Sequence, residues 1–237
     1  MTSSTAPSKE PVPVGAPRAA PPKGSGRRPE LGLYVITDPE LSLGRSHEEV
    51  ATQALEGGAN VIQLRDKHAS TKALYEAGLK LKALTARAGA LFIVNDRVDI
   101  ALAVDADGVH LGQDDLPAIA ARRLLGSHKV LGVSVENAEQ ARKAAEDGAS
   151  YVAIGPIYEA RGSKPDAGVP LGAKVIAELR QHTRLPIVAI GGIKNRHLAE
   201  LFKAGADGVA VISAIAGAKD ILAATREMKR LILEARG

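Results

Sequence analysis

From residue 33 to the end of the chain, short runs of aliphatic and β-branched residues alternate with longer stretches whose apolar residues recur at helical spacing. The runs at 33–37, 60–64, 91–94, 108–111, 130–134, 151–154, 187–190 and 208–211 read as eight strands. They are nearly continuous in apolar residues, as strands covered on both faces must be, and each is followed by a helix-forming stretch. Eight strand–helix units in so short a chain predict a single α/β domain, a (β/α)8 TIM barrel. An open doubly wound sheet is the rival, but no Gly-x-Gly-x-x-Gly follows the first strand.

Local signals fix many of the boundaries. Ser46 and Glu49 form a capping box for a helix running toward Gly57, and 71–88 reads as a long amphipathic helix. Further helices are expected at 98–104, 137–147, 172–182, 195–204 and 219–235, with Pro117 at the first position of another. Gly58-Ala59-Asn60, Gly148-Ala149-Ser150 and Gly205-Ala206-Asp207 form a weak internal repeat, each stopping a helix just before a strand; Asp105-Ala106-Asp107 is a degenerate copy.

Composition narrows the chemistry. Without cysteine there is no disulfide, thiol nucleophile or thiolate metal site, so any metal must take oxygen or imidazole ligands. The net charge of +4 is concentrated at the N-terminus, where residues 1–30 hold five basic and two acidic side chains and leave +1 for the rest. A nearly neutral body with 3% aromatics gives no reason to expect a nucleic-acid partner. No apolar run approaches a membrane span or a secretion signal, so a cytoplasmic protein is expected. Residues 1–30, rich in Pro, Ala and Gly, read as a disordered tail, and residues 31–237 as the catalytic barrel. The sequence leaves homo-oligomerisation open.

In such a barrel the reactive face is the rim formed by the carboxyl ends of the strands. The polar residues expected there are Gln63 through Lys67, Asn95-Asp96, His110 through Asp115, Ser134, the loop holding Arg161, Ser163 and Lys164, then Gly191-Gly192 and Ile212-Ser213. The cations Arg65, Lys67 and Lys164 beside the carboxylates Asp96 and Asp115 suit a diphosphate accompanied by Mg²⁺, which bridges oxygens that would otherwise repel. The glycines and Ser213 on the far side suit a second phosphate. Each residue also has a plainer explanation. Asp96 and Asp115 could cap the helices after them, and Arg65, Asp66 and Lys67 could pair among themselves in water. Ser134 could simply pack at its strand end, and His110 could be a core histidine satisfied by a neighbour. Recurrence at one rim across six strands favours the functional reading.

The same residues carry a family resemblance. Gln63-Leu64-Arg65-Asp66-Lys67, Asn95-Asp96-Arg97-Val98-Asp99, the stretch from Asp107 to Asp115, Gly132-Val133-Ser134, Gly155-Pro156-Ile157-Tyr158, Ala189-Ile190-Gly191-Gly192-Ile193 and Ala206-Asp207-Gly208-Val209 together resemble the thiamine-phosphate synthases. That resemblance implies a Mg²⁺-assisted transferase of thiamine biosynthesis, which joins a hydroxymethyl-aminopyrimidine diphosphate to a thiazole phosphate (or its carboxylated form) and releases diphosphate. It implies that Gln63, Leu64, Arg65, Asp66, Lys67, Asn95, Ser134 and Lys164 bind the pyrimidine diphosphate, with Arg65, Lys67 and Lys164 catalytic. Asp96 and Asp115 would hold Mg²⁺, and Arg161, Gly162, Ser163, Gly192, Ile212 and Ser213 would bind the thiazole phosphate.

One loop departs from the family, which usually carries Thr-x-Thr-Lys there. Residues 159–165 read Glu-Ala-Arg-Gly-Ser-Lys-Pro. A one-residue insertion puts Arg161, Ser163 and Lys164 at the family's Thr, Thr and Lys; without it the lysine position falls on Ser163. Three rivals are a thiazole tautomerase, a ribose-phosphate barrel of amino-acid synthesis and a catalytically silent binding barrel. The first has no use for the two carboxylates, the second needs an acid–base pair not found here, and the third is disfavoured by intact rim charges.

Overall fold

A computed structural model describes residues 29–159 and 169–237. The tail expected at 1–30 lies outside the described residues up to position 28. The strands are β1 (Leu33–Thr37), β2 (Val61–Leu64), β3 (Leu91–Asn95), β4 (Gly108–Leu111), β5 (Val130–Val135), β6 (Tyr151–Ile154), β7 (Ile187–Ile190) and β8 (Gly208–Val211). They close into a parallel barrel in chain order, β1 pairing with both β2 and β8. The helices are α1 (His47–Glu56), α2 (Thr71–Ala88), α3 (Val98–Ala103), α4 (Ala118–Leu125), α5 (Ala138–Glu146), α6 (Lys174–His182), α7 (Leu198–Lys203) and α8 (Ile221–Arg236).

Every strand lies within one residue of its sequence-based position, because alternation and glycine punctuation both mark the ends. The Ser46–Glu49 capping box is present. Pro117 differs from expectation. With ψ at 136° it stands outside α4 as the capping residue, and its carbonyl accepts from the amides of Ala120 and Ala121. The helix expected at 195–204 divides into a 3₁₀ turn, Asn195–His197, and α7.

Strand alternation sorts the core into two shells. Tyr34, Ile36, Val61, Ile93, Tyr151, Ala153, Val188 and Ala210 fill the barrel interior. Leu33, Val35, Ile62, Leu64, Phe92, Val94, Val109, Leu131, Val152 and Val209 face outward onto the helices. Two shells from one set of strands leave no polar-face requirement, which accounts for the low polarity of all eight runs.

The repeat seen in the sequence is a device at the barrel floor. The residue before each even strand accepts, through its side chain, from the first or second amide of the preceding odd strand. Leu33 N donates to Asn60 Oδ1 at 2.9 Å, Phe92 N to Asp107 Oδ2 at 2.8 Å, Leu131 N to Ser150 Oγ at 3.0 Å and Ile187 N to Asp207 Oδ2 at 2.8 Å. Each acceptor is also held by a cation from an even helix: Lys229 of α8, Lys82 of α2, Arg122 of α4 and Arg180 of α6 respectively. Strand-end donors that the ladder cannot reach are thereby satisfied, and each helix is pinned to the floor. Asp207→Ala should lower unfolding free energy by about 1–3 kcal/mol, the cost of leaving a buried amide unsatisfied. Asp207→Asn, which keeps an acceptor, should lose less; equal losses in urea titrations of the two variants would contradict this account.

Candidate active site

At the opposite rim, β1 ends in Thr37 and Asp38, both buried. Asp38 is ion-paired with Arg65, which follows β2, and this pair was not anticipated from the sequence. Arg65 therefore does not pair with its neighbours. Asp66 instead accepts from the amides of His68 and Ala69, each at 2.9 Å, which folds the loop and leaves Lys67 exposed. His47 of α1 braces the same loop: its Nδ1 is 2.8 Å from Thr37 Oγ1, and its Nε2 is 3.6 Å from Asp66.

Asp96 sits one residue past β3, with its amide on the carbonyl of His110 at 2.8 Å and its backbone in the left-handed region, φ 60°. That conformation is uncommon outside glycine, though aspartate adopts it more readily than most residues, and here the Asp96 carboxyl faces Asp115. Asp115 in turn accepts from Gly112 N at 2.6 Å. Neither aspartate caps the next helix: α3 is preceded by Arg97 and α4 by Pro117, without side-chain capping bonds. Burial first, then the facing Asp115, raise the Asp96 carboxyl from the ordinary 3.8 to about 6, against the lowering influence of Lys67 and Arg65. Two carboxyls held together beside two cations form a site poised for a hard cation and an anion at once.

Inside the barrel mouth, Gln63, Asn95, His110 and Ser134 follow the inward phase of their strands. His110 stacks on Tyr151 and bonds to both Tyr151 and Ser134. The plainer reading of His110, a core histidine with satisfied nitrogens, is thus what the structure shows, and Ser134 is its partner. Leu64 sends its side chain into the outer shell, so only its main chain is near the rim. Gly191 and Gly192 adopt positive φ, and a Cβ on either would lie 2.6 Å from the loop after β6, at Pro156 and at Glu159 respectively. Close packing of two loops demands both glycines. Ile212 and Ser213 open a short turn, with Ile212 O accepting from Ala216 N at 2.8 Å; α8 begins only at Ile221. Arg161, Gly162, Ser163 and Lys164 lie outside the described residues.

A closed parallel barrel with facing carboxyls and cations at its carboxyl-end rim places the chain in the (β/α)8 class. The sequence model described as thiamine monophosphate synthase matches residues 33–215. A thiamine-phosphate synthase of Chloroflexus aurantiacus is 54% identical over 200 residues, spanning 84% of this chain and 92% of the relative. One from Moorella thermoacetica is 50% identical over 209 residues, 88% of this chain and 99% of the relative. A solved structure of thiamine phosphate pyrophosphorylase from Pyrococcus furiosus superposes with a TM-score of 0.81 at 42% identity, covering 89% of this chain and 99% of that one. The chain belongs to the thiamine monophosphate synthase family, and is accordingly a transferase of thiamine biosynthesis.

The residues missed by sequence reasoning are Asp38, His47, Tyr34 and Tyr151. Strand phase could have found the tyrosines, since Tyr34 and Tyr151 stand at inward positions of β1 and β6. The raised Asp96 pKa gives a direct check. An acid whose pKa is higher folded than unfolded favours folding below about 3.8 and loses that contribution as pH rises through about 6. Carbon-detected NMR of the metal-free protein should show the Asp96 carboxyl titrating near pH 6, and Asp115→Asn should bring it partway down, since burial remains. Titration in the ordinary range in the parent would contradict the facing of the two carboxyls.

Proposed function

We propose that this enzyme displaces diphosphate from the methylene carbon of a hydroxymethyl-aminopyrimidine diphosphate by the ring nitrogen of a thiazole phosphate, yielding thiamine phosphate. The observation that carries the reading is the facing of the Asp96 and Asp115 carboxyls, with Lys67 and Arg65 close enough to offset part of the rise in the Asp96 pKa. Carboxylates forced together at neutral pH are stabilised by a divalent ion, and one or two carboxylates plus substrate phosphates are the usual Mg²⁺ donor set. Asp96 and Asp115 would hold Mg²⁺, which when bound supplies charge neutralisation for the diphosphate oxygens.

The remaining work falls to side chains of the barrel. Arg65, fixed in direction by buried Asp38, offers its guanidinium to the diphosphate with little reorganisation. Lys67 adds a second cation from the loop that Asp66 folds. Lys164 would close over the departing group and exclude water from an electron-poor methylene carbon. Gln63, Asn95 and Ser134 would hold the aminopyrimidine ring, with Leu64 and Asp66 shaping its strand end. Gly192, Ile212 and Ser213, with Arg161, Gly162 and Ser163, would hold the thiazole phosphate. No side chain is required to act as a nucleophile. A thiazole tautomerase would have no use for the carboxylate pair, which favours the synthase reading. Among the described residues no helix is long and apolar enough to cross a membrane, and a cytoplasmic location with small phosphorylated partners accords with the proposed chemistry.

With both substrates and Mg²⁺, the protein should release thiamine phosphate and diphosphate in equal amounts. Asp96→Ala should lower turnover by about 10²-fold or more while leaving the circular dichroism of the barrel unchanged. An active Asp96→Ala enzyme would remove the metal assignment. Lys164→Ala should slow single-turnover chemistry by a similar factor of about 10²; unchanged rates would assign the lysine's place in the divergent loop to another residue.

A further inference from the structure

Five polar side chains cross the barrel interior in an unbroken line. Gln63 Nε2 donates to the Tyr34 hydroxyl at 2.8 Å, the Tyr34 and Tyr151 hydroxyls are 2.9 Å apart, Tyr151 is 2.9 Å from His110 Nδ1, and His110 Nε2 is 3.0 Å from Ser134 Oγ. The line joins β2, β1, β6, β4 and β5, and both of its ends are side chains assigned above to the pyrimidine ring. Room for it is built in: a Cβ on Gly132 would collide with the Tyr151 ring and lie 2.5 Å from His110 Nδ1. Both tyrosines are fully buried, and burial raises their hydroxyl pKa values, so each has one proton to give throughout the physiological range.

One proton per hydroxyl makes the line directional. Because Tyr34 accepts from Gln63, its own proton must go to Tyr151. Tyr151 must then donate to His110 Nδ1, which therefore carries a lone pair. The imidazole proton is left on Nε2 and is donated to Ser134 Oγ. Ser134 in turn keeps its hydroxyl proton for an acceptor outside the line, and the Gln63 carbonyl oxygen, which makes no hydrogen bond among the described residues, is left as an acceptor. The Nε2–H form is also the intrinsically preferred tautomer of neutral imidazole, so local and network preferences agree.

We propose that this line is a polarised hydrogen-bond relay that fixes Gln63 as acceptor and Ser134 as donor toward the ring, making Tyr34, Tyr151 and His110 positioning residues for base specificity. The inference rests on the pyrimidine reading above. An aminopyrimidine edge presents an N–H donor beside a lone-pair ring nitrogen, which complements acceptor and donor in that order. A ring with an oxo group beside a protonated nitrogen presents the reverse, and would be admitted only if all the links reversed together. Specificity is thereby set by a tautomer held at a distance from the ligand, with discrimination arising from mismatched polar groups.

The relay is tested without substrate by ¹⁵N NMR of histidine-labelled protein at about pH 8, above the ordinary histidine range. The parent should show His110 protonated on Nε2 alone. Gln63→Glu, whose carboxylate can only accept, should reverse every link and move the proton to Nδ1. Tyr34→Phe, which cuts the line at its second member, should give a mixture of the two tautomers. A parent protonated on Nδ1, or a tautomer unchanged in both variants, overturns the relay whatever the enzyme's substrate proves to be. In turnover, Tyr34→Phe should narrow the kcat/KM preference for aminopyrimidine over oxopyrimidine diphosphate by about ten-fold, mainly through KM, the worth of about one hydrogen bond. An unchanged preference alongside the expected tautomers would overturn the specificity role. Absence of turnover in the parent with either diphosphate would count against the functional reading and leave the tautomer result standing.

Discussion

A closed ring of eight short parallel strands exists only if the amides at the strand ends find acceptors, because the ladder cannot reach them all. Here the need is met on the floor by four side chains placed just ahead of β2, β4, β6 and β8, each shared between a strand amide and a helix cation. The same contact ties helix to strand, so the outer ring of helices and the inner ring of strands are fixed in one step. With the floor pinned, the opposite rim is free to carry loops whose residues serve chemistry. Asp96 can hold a left-handed backbone there because the scaffold beneath it is already determined.

The rim is organised by electrostatic opposition. Asp38 is consumed by Arg65 and thereby aims it, whereas Asp96 and Asp115 are placed against each other, and Lys67 and Arg65 relieve that opposition only in part. Burial and mutual repulsion raise the cost of charging that pair. The barrel interior is not simply apolar filling either. Tyr34 and Tyr151 occupy volume that aliphatic residues fill elsewhere, and their hydroxyls join strands that are not neighbours in the sheet. A buried polar line of this kind is tolerable because its internal groups pair with one another, leaving only the Gln63 carbonyl oxygen and the Ser134 hydroxyl proton at its ends for an outside partner.

Much of the fold was legible because strand–helix alternation is a local property. The run at 187–190 could be placed from its residues alone, as could the capping box at Ser46. Pro117 was misplaced by one position because its fixed φ suits both the capping residue and the first helical residue, and only ψ distinguishes them. The rim's polar and charged residues were legible as a set, since strand ends define the rim. Their pairings were not. Nothing in the spacing of Asp38 and Arg65 says that they meet, and nothing local to Gly191-Gly192 says that the loop after β6 packs against both glycines.

The sequence by itself determined the barrel, its eight strand positions and the family to which the chain belongs, because periodicity, glycine placement and clustered motifs are written along the chain. Tertiary structure alone decided which acid faces which, that His110 is anchored between Tyr151 and Ser134, and that Gln63 reaches Tyr34. Those facts depend on the closure and register of the sheet, which bring together residues such as Tyr34 and Tyr151, 117 positions apart, and cannot be read from any local window.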